Sequence, residues 1–218
     1  MPLELVGANV VVVAQQFNPS VFSQLWLVKN HILEEGDFRE GCLFSDDVVK
    51  IESRQFGLLV VPPQLQFRPI LPDEGESDAV AEVVGRIVRT IPHTPYKAIG
   101  LNFVWHVWSD DDDMYRLSRS LFFASNSSLL SDFADAKDVM FGGYVSRDFG
   151  ECRLRLDVKP IFNQVNGEPE GRMQFSFNFQ VDHLDAPDVE AVSAMERHLQ
   201  SWRELREESN RIVSLSLE

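Results

Sequence analysis

The sequence predicts an α+β fold: one antiparallel sheet carrying its helices on a single face, within a single compact domain spanning residues 1–218. Three observations predict it. The runs ECRLRLDVK and MQFSFNFQVD alternate apolar and polar residues, placing Cys152, Leu154, Leu156 and Val158 on one face of a strand and Phe175, Phe177, Phe179 and Val181 on the matching face of the next. From Ser77 to Ile91 the apolar residues Val80, Val83, Val84, Ile87, Val88 and Ile91 recur at helical spacing. The order strand, helix, roughly three strands, helix is met twice along the chain.

The elements follow in order. The valine-rich segment from Ala8 to Phe17 reads as a strand, and it ends at Asn18-Pro19-Ser20, an N-cap followed by proline at the first helical position. A helix carrying Val21, Phe22, Leu25 and Trp26 on one side is expected there. Between Gly41 and Ile70, the runs CLF, VVKIE, GLLVV and LQFRPI, separated by Asp, Ser, Gly and Pro-Pro, read as a small antiparallel meander. The acidic linker Pro72–Glu76 then leads into the amphipathic helix Ser77–Ile91.

After the breaker IPHTP the order restarts. A strand from Ala98 to Trp108 runs into a helix beginning near Asp110, with Met114, Leu117 and Leu121 facing inward. The looser stretch NSSLLSDFADAKD precedes three β-like runs, VMFGGYV, ECRLRLDVK and MQFSFNFQVD. A long helix from Pro187 to about Val213 closes the chain, with Val192, Met195, Leu199, Trp202, Ser209 and Ile212 near heptad spacing. Two halves, about 1–95 and 96–218, set side by side would make one long curved sheet with the two terminal helices crossing its back. This element order resembles the tandem TATA-binding-protein-like or helix-grip arrangement. The resemblance covers most of the chain and implies a fold, not an activity.

Composition narrows the function classes. A net charge of −14 and a pI near 4.7 argue against nucleic acid and anionic membranes as partners, because both are approached through clustered Lys and Arg. No apolar run approaches the roughly 18 residues needed to cross a bilayer. The opening MPLELVGANVVVVA has no basic region before its apolar run, so it reads as a strand and the protein as cytoplasmic. Cys42 and Cys152 are then reduced thiols. The chain has no HExxH, GxSxG or phosphate-binding loop, and no metal or cofactor is expected.

Three stretches carry enough functional side chains to be weighed. In FVWHVWSDDDDMYRL, Trp105 shares a strand face with Leu101 and Phe103, while His106 falls with Asn102 on the opposite, solvated face. Ser109 or Asp110 suits an N-cap, and Asp111 to Asp113 suit the positive end of the helix dipole. They do not read as metal ligands, since consecutive helical side chains point about 100° apart. In Asp182-His183-Leu184-Asp185, the aspartate before Ala186-Pro187 reads as an N-cap. Gly142-Gly143 reads as a bulge or tight bend.

The polar face of the sheet is the remaining candidate. Alternation lines up Arg153, Arg155, Asp157 and Lys159 on one strand and Ser176, Asn178, Gln180 and Asp182 on the next. Asn102 and His106 follow on the strand opening the second half, and Gln64, Gln66 and Arg68 hold analogous places in the first. Positive charge gathers here in an otherwise acidic chain. The expected function is noncatalytic: recognition of a protein partner, or self-association, through Arg153, Arg155, Lys159, Asn178, Gln180, Asn102, His106 and Arg68. Two other classes stay open. A small enzyme would need a pocket near His106 or His183 with a titratable pair of shifted pKa, and an acidic nucleic-acid mimic would need carboxylates arrayed on one surface.

Overall fold

Among the described residues nine strands form one sheet in the order β2-β3-β4-β5-β1-β6-β9-β8-β7, every neighbouring pair antiparallel. They are β1 (Leu3–Ala14), β2 (Leu43–Phe44), β3 (Val49–Glu52), β4 (Phe56–Val61), β5 (Gln64–Pro69), β6 (Tyr96–Val107), β7 (Gly143–Phe149), β8 (Cys152–Val165) and β9 (Glu168–Asp182). The structure is a computed structural model and describes residues 2–70, 75–108, 114–131, 133, 139–165, 168–182 and 188–217. The expected meander is β2 to β5, and the three late β-like runs correspond to β7, β8 and β9. The alternation holds: Phe175, Phe177, Phe179 and Leu154 are buried on one face, with polar residues between them.

The central seam is β1 against β6, where Val10 faces Leu101 and Asn9 faces Asn102. Strands then run outward on both sides, through β5 to β2 and through β9 to β7. The helical run Glu76–Ala79 (α2), a π-helical segment Val80–Val84 and Gly85–Thr90 (α3) buries Val80, Val84 and Ile87. The π segment packs on β5, and it and α3 touch the last helical region. That region is Asp188–Gln200 (α6) followed by Trp202–Leu215 (α7), both lying against β6. The apolar helix faces therefore cover one side of the sheet, because burying both stripes requires the same apolar sheet face. No helix among the described residues is long and apolar enough to cross a membrane.

Several local expectations are corrected. The terminal helix is interrupted at Ser201, whose hydroxyl donates to the His198 carbonyl at 2.7 Å and so competes with helix continuation. Near Pro19 there is no single helix. A 3₁₀ turn, Pro19–Val21, is capped by Asn18, and a separate helix, Gln24–Lys29 (α1), starts afresh because Ser23 accepts from the Trp26 amide at 3.2 Å. This rotates Leu25 to 76% exposure and makes Leu27 the buried residue.

Gly142-Gly143 is not a bulge: β7 begins at Gly143, in regular register with Val158. The glycines answer to close approach, since a Cβ on Gly142 would stand 2.6 Å from the Val158 carbonyl oxygen and one on Gly143 2.6 Å from the Phe122 ring. The helix expected near Asp110 is described from Met114 to Phe122 (α4), with Leu117 buried; a short helical turn, Ser128–Ser131 (α5), follows it. The capping roles of Ser109 and Asp110 to Asp113, and the positions of His183 and Asp185, lie outside the described residues.

Candidate functional site

The face of the sheet turned away from the helices carries the row of polar residues that alternation predicts. At its centre the register aligns Asn9, Asn102, Asn178 and Arg155 on four successive strands. Their side chains form a relay. Arg155 Nη1 donates to Asn178 Oδ1 at 3.1 Å, Asn178 Nδ2 to Asn102 Oδ1 at 2.8 Å, and Asn102 Nδ2 to Asn9 Oδ1 at 2.8 Å. Gly100 leaves room for it, because a Cβ there would come within 2.8 Å of Asn178 Nδ2. Amides suit this row: each offers both a donor and an acceptor, so a chain of them can propagate across strands without charge.

Of the expected site residues, Arg155, Asn178, Gln180 and Asn102 are brought together. Arg155 also donates to Gln180 Oε1 at 2.6 Å and to Asp182 Oδ2 at 3.2 Å. Arg153, Lys159 and Arg68 stand apart from this cluster, each held by a nearby carboxylate. Arg153 lies 2.8 Å from Asp148, Lys159 3.5 Å from Asp157, and Arg68 4.0 Å from Glu52 across Gly57.

His106 shares the face but is not solvated. It is 8% exposed, with Nε2 3.3 Å from Gln174 Oε1 and, among the described residues, no partner for Nδ1. Beside it, Arg172 lies 4.7 Å over the Trp108 ring and bridges Glu170 at 3.1 Å and Glu4 at 3.8 Å. The register sets His106 between Glu4 and Gln174, and its low exposure is not something strand alternation alone reveals.

The cations expected on this face are present, but positive charge does not accumulate. Lys50, Arg68, Arg153, Arg155, Lys159 and Arg172 each have a carboxylate within 4.0 Å; Lys50 and Arg68 share Glu52, Arg172 meets both Glu4 and Glu170, and Asp148, Asp182 and Asp157 serve Arg153, Arg155 and Lys159, so six carboxylates balance six cations. The chain's net charge of −14 therefore comes from residues outside these pairs. Cross-strand pairing of opposite charges is favourable at adjacent sheet positions, and it leaves the face electrically mixed.

The two arginines differ in what they hold, which gives a measurable contrast. Arg153→Ala, which loses a hydrogen bond to Ser146 Oγ and an ion pair with Asp148, itself 88% exposed, is expected to cost about 1 kcal/mol or less. Arg155→Ala removes three hydrogen bonds at a half-buried site and is expected to cost about 1–3 kcal/mol. Urea unfolding of the two variants checks this; equal midpoints would mean the relay contributes nothing to stability.

A second feature was not visible in the sequence, because it joins distant segments. Cys152 at the start of β8 and His198 near the end of α6 line one cavity of about 200 Å³, together with Phe149, Val181, Ser201, Glu204 and Leu205. His198 is 7% exposed and its Nε2 lies 3.0 Å from the Phe179 carbonyl oxygen. Burial lowers the His198 pKa, outweighing that hydrogen bond, and burial raises the Cys152 thiol. A neutral thiol beside a neutral imidazole is the reverse of an activated nucleophile pair, in which the thiolate and imidazolium stabilise each other. Among the described residues no group of three or more His, Cys, Asp or Glu could hold a metal ion.

The lowered pKa carries a pH signature. The unfolded chain takes up a proton at His198 near its ordinary value of 6.5, whereas the folded chain resists until lower pH. Stability from this group is complete above that value and falls as pH drops below it, by up to about 1.4 kcal/mol per pH unit for one proton. Denaturant unfolding at pH 7.5, 6.5 and 5.5 should show a steeper loss for the wild type than for His198→Gln. Parallel profiles would contradict burial of a neutral imidazole.

Compared with known proteins, the chain matches no family model and no curated protein.

Proposed function

We propose that the protein is a noncatalytic, cytoplasmic binding or assembly protein that recognises a protein partner, or a second copy of itself, through the polar face of its sheet. The observation that carries this reading is the relay Arg155–Asn178–Asn102–Asn9, a registered row of directional donors and acceptors on the face that α2, α3, α6 and α7 leave free. Groups held in place by one another lose little side-chain entropy when a partner's backbone or amides dock on them. The exposed Arg153, Lys159 and Arg68 would form the rim, and the central amides and Arg155 the core.

The tandem, TATA-binding-protein-like arrangement belongs to the same proposal. It is supported by the antiparallel β1–β6 seam with Asn9 opposite Asn102, and by strands leaving that seam in corresponding order on each side. The interleaving of equal numbers of paired cations and carboxylates disfavours a phosphate-mimicking role for this face, which would need uninterrupted negative charge.

Charge neutrality makes the proposal specific. Partner affinity is expected to change by no more than about threefold between 0.05 and 0.5 M NaCl, because screening acts weakly where neither side carries excess charge. The direct test is affinity purification of tagged wild type, Asn9→Ala with Arg68→Ala, Arg153→Ala with Lys159→Ala, and the helix-face control Arg203→Ala, each first checked for an unchanged melting temperature. Loss of the partner in the polar-face variants alone supports the proposal. Retention there, with loss in Arg203→Ala, overturns it.

A further inference from the structure

The cavity beneath the β7–β8 turn is built differently from the polar face and does not depend on it. It lies on the helix side of the sheet, between Phe149 to Cys152, Val181 of β9, and the junction of α6 with α7. We propose that it is a binding site for a small, neutral molecule with an apolar body and one hydrogen-bond donor, a phenol or comparable alcohol, whose hydroxyl is accepted by His198 Nδ1.

The tautomer follows from geometry. The Phe179 carbonyl can only accept, so the nitrogen 3.0 Å from it, Nε2, carries the hydrogen and Nδ1 is left with a lone pair. Nδ1 makes no hydrogen bond to the described residues, yet it is not among their sealed, partnerless atoms, so it opens to space. His198 as a whole is 7% exposed and lines the cavity, which makes the cavity that space. A directional acceptor is thus held at one end of a pocket whose walls include Phe149, Val181, Ala194 and Leu205.

The occupant's charge and size are constrained as well. Cys152 is protonated and spends its hydrogen on the Phe149 carbonyl at 3.1 Å, presenting sulfur as a soft apolar surface. The ion pair of Glu151 with Arg197, 3.7 Å apart, stands at the rim with side chains 84% and 61% exposed and is satisfied by itself. An anion entering the interior would shed its water and meet the Glu204 carboxylate in the wall, whereas a neutral hydroxyl meets the His198 acceptor without carrying charge inside. A volume of about 200 Å³ admits roughly seven heavy atoms at the ~30 Å³ each water occupies in the liquid, which is the size of a one-ring compound.

The test uses the full chain, reduced, at pH 7.5, with phenol and toluene as probes, since the two share a ring and differ in the donor. Binding is read from the side-chain nitrogen resonances of His198, assigned by their loss in His198→Phe. Phenol should shift the unprotonated Nδ1 resonance saturably and bind at least about fivefold more tightly than toluene, the worth of one ordinary neutral hydrogen bond. In His198→Phe that preference should vanish. Ala194→Leu, which fills the cavity while sparing the imidazole, should abolish binding of both probes and serves as the decisive variant if His198→Phe does not fold. The proposal is overturned if phenol leaves Nδ1 unmoved up to its solubility, if toluene binds as tightly as phenol, or if Ala194→Leu binds phenol like the wild type.

Discussion

Trp202→Ala is expected to cost about 3–5 kcal/mol, the range for truncating a large aromatic in a closed core. The indole is 1% exposed at the first position of α7, with its ring 4.8 Å from that of Phe103 on the central strand β6. It is where the last helix is anchored to the sheet. Its own Nε1, however, is buried with no hydrogen-bond partner among the described residues. Trp202→Phe should therefore cost far less, under about 2 kcal/mol, because the lost volume is partly offset by removing an unsatisfied donor. Equilibrium unfolding in urea, followed by circular dichroism, measures both. Similar losses for Ala and Phe would mean that the indole nitrogen is solvated in the native state.

Arg206→Met is expected to be the most damaging change at a charged residue, at about 3–5 kcal/mol. Arg206 Nη1 reaches Glu76 Oε2 at 2.8 Å, tying α7 to the first turn of α2, and the Glu76 side chain is only 6% exposed. Truncating the cation leaves a buried carboxylate without its nearest counter-charge, whereas removing both charges restores a neutral contact. The double variant Glu76→Gln, Arg206→Met should accordingly recover much of the loss, and a double-mutant cycle by thermal and urea unfolding tests it. Simple additivity of the two single changes would show that the pair is not coupled.

The contrast between these two residues reflects how each was legible. Trp202 sits at near-heptad spacing in an apolar stripe, so its burial could be read along the chain. Glu76 reads as part of an acidic linker, and nothing local announces that Arg206 will meet it from the other end of the protein. The same holds for His106, placed on the polar face by alternation but buried there, between Glu4 and Gln174 of the neighbouring strands. It holds again for Arg155, which reads as a free surface cation until the register brings Asn178, Gln180 and Asp182 beside it.

What the sequence by itself determined was the local geometry: strands where apolar residues alternate, helices where valines and isoleucines recur every three or four positions, and hence which side chains share a face. Those periodicities are set by backbone geometry within a few residues, so they survive in any window of the chain. Tertiary structure alone decided which strands are neighbours and which side chains from other strands meet Arg155 on the polar face. It also decided that Cys152 and His198 line one cavity. These are contacts between segments far apart in the chain, selected by the burial of whole faces against one another, and no local pattern specifies the partner that a given face will find.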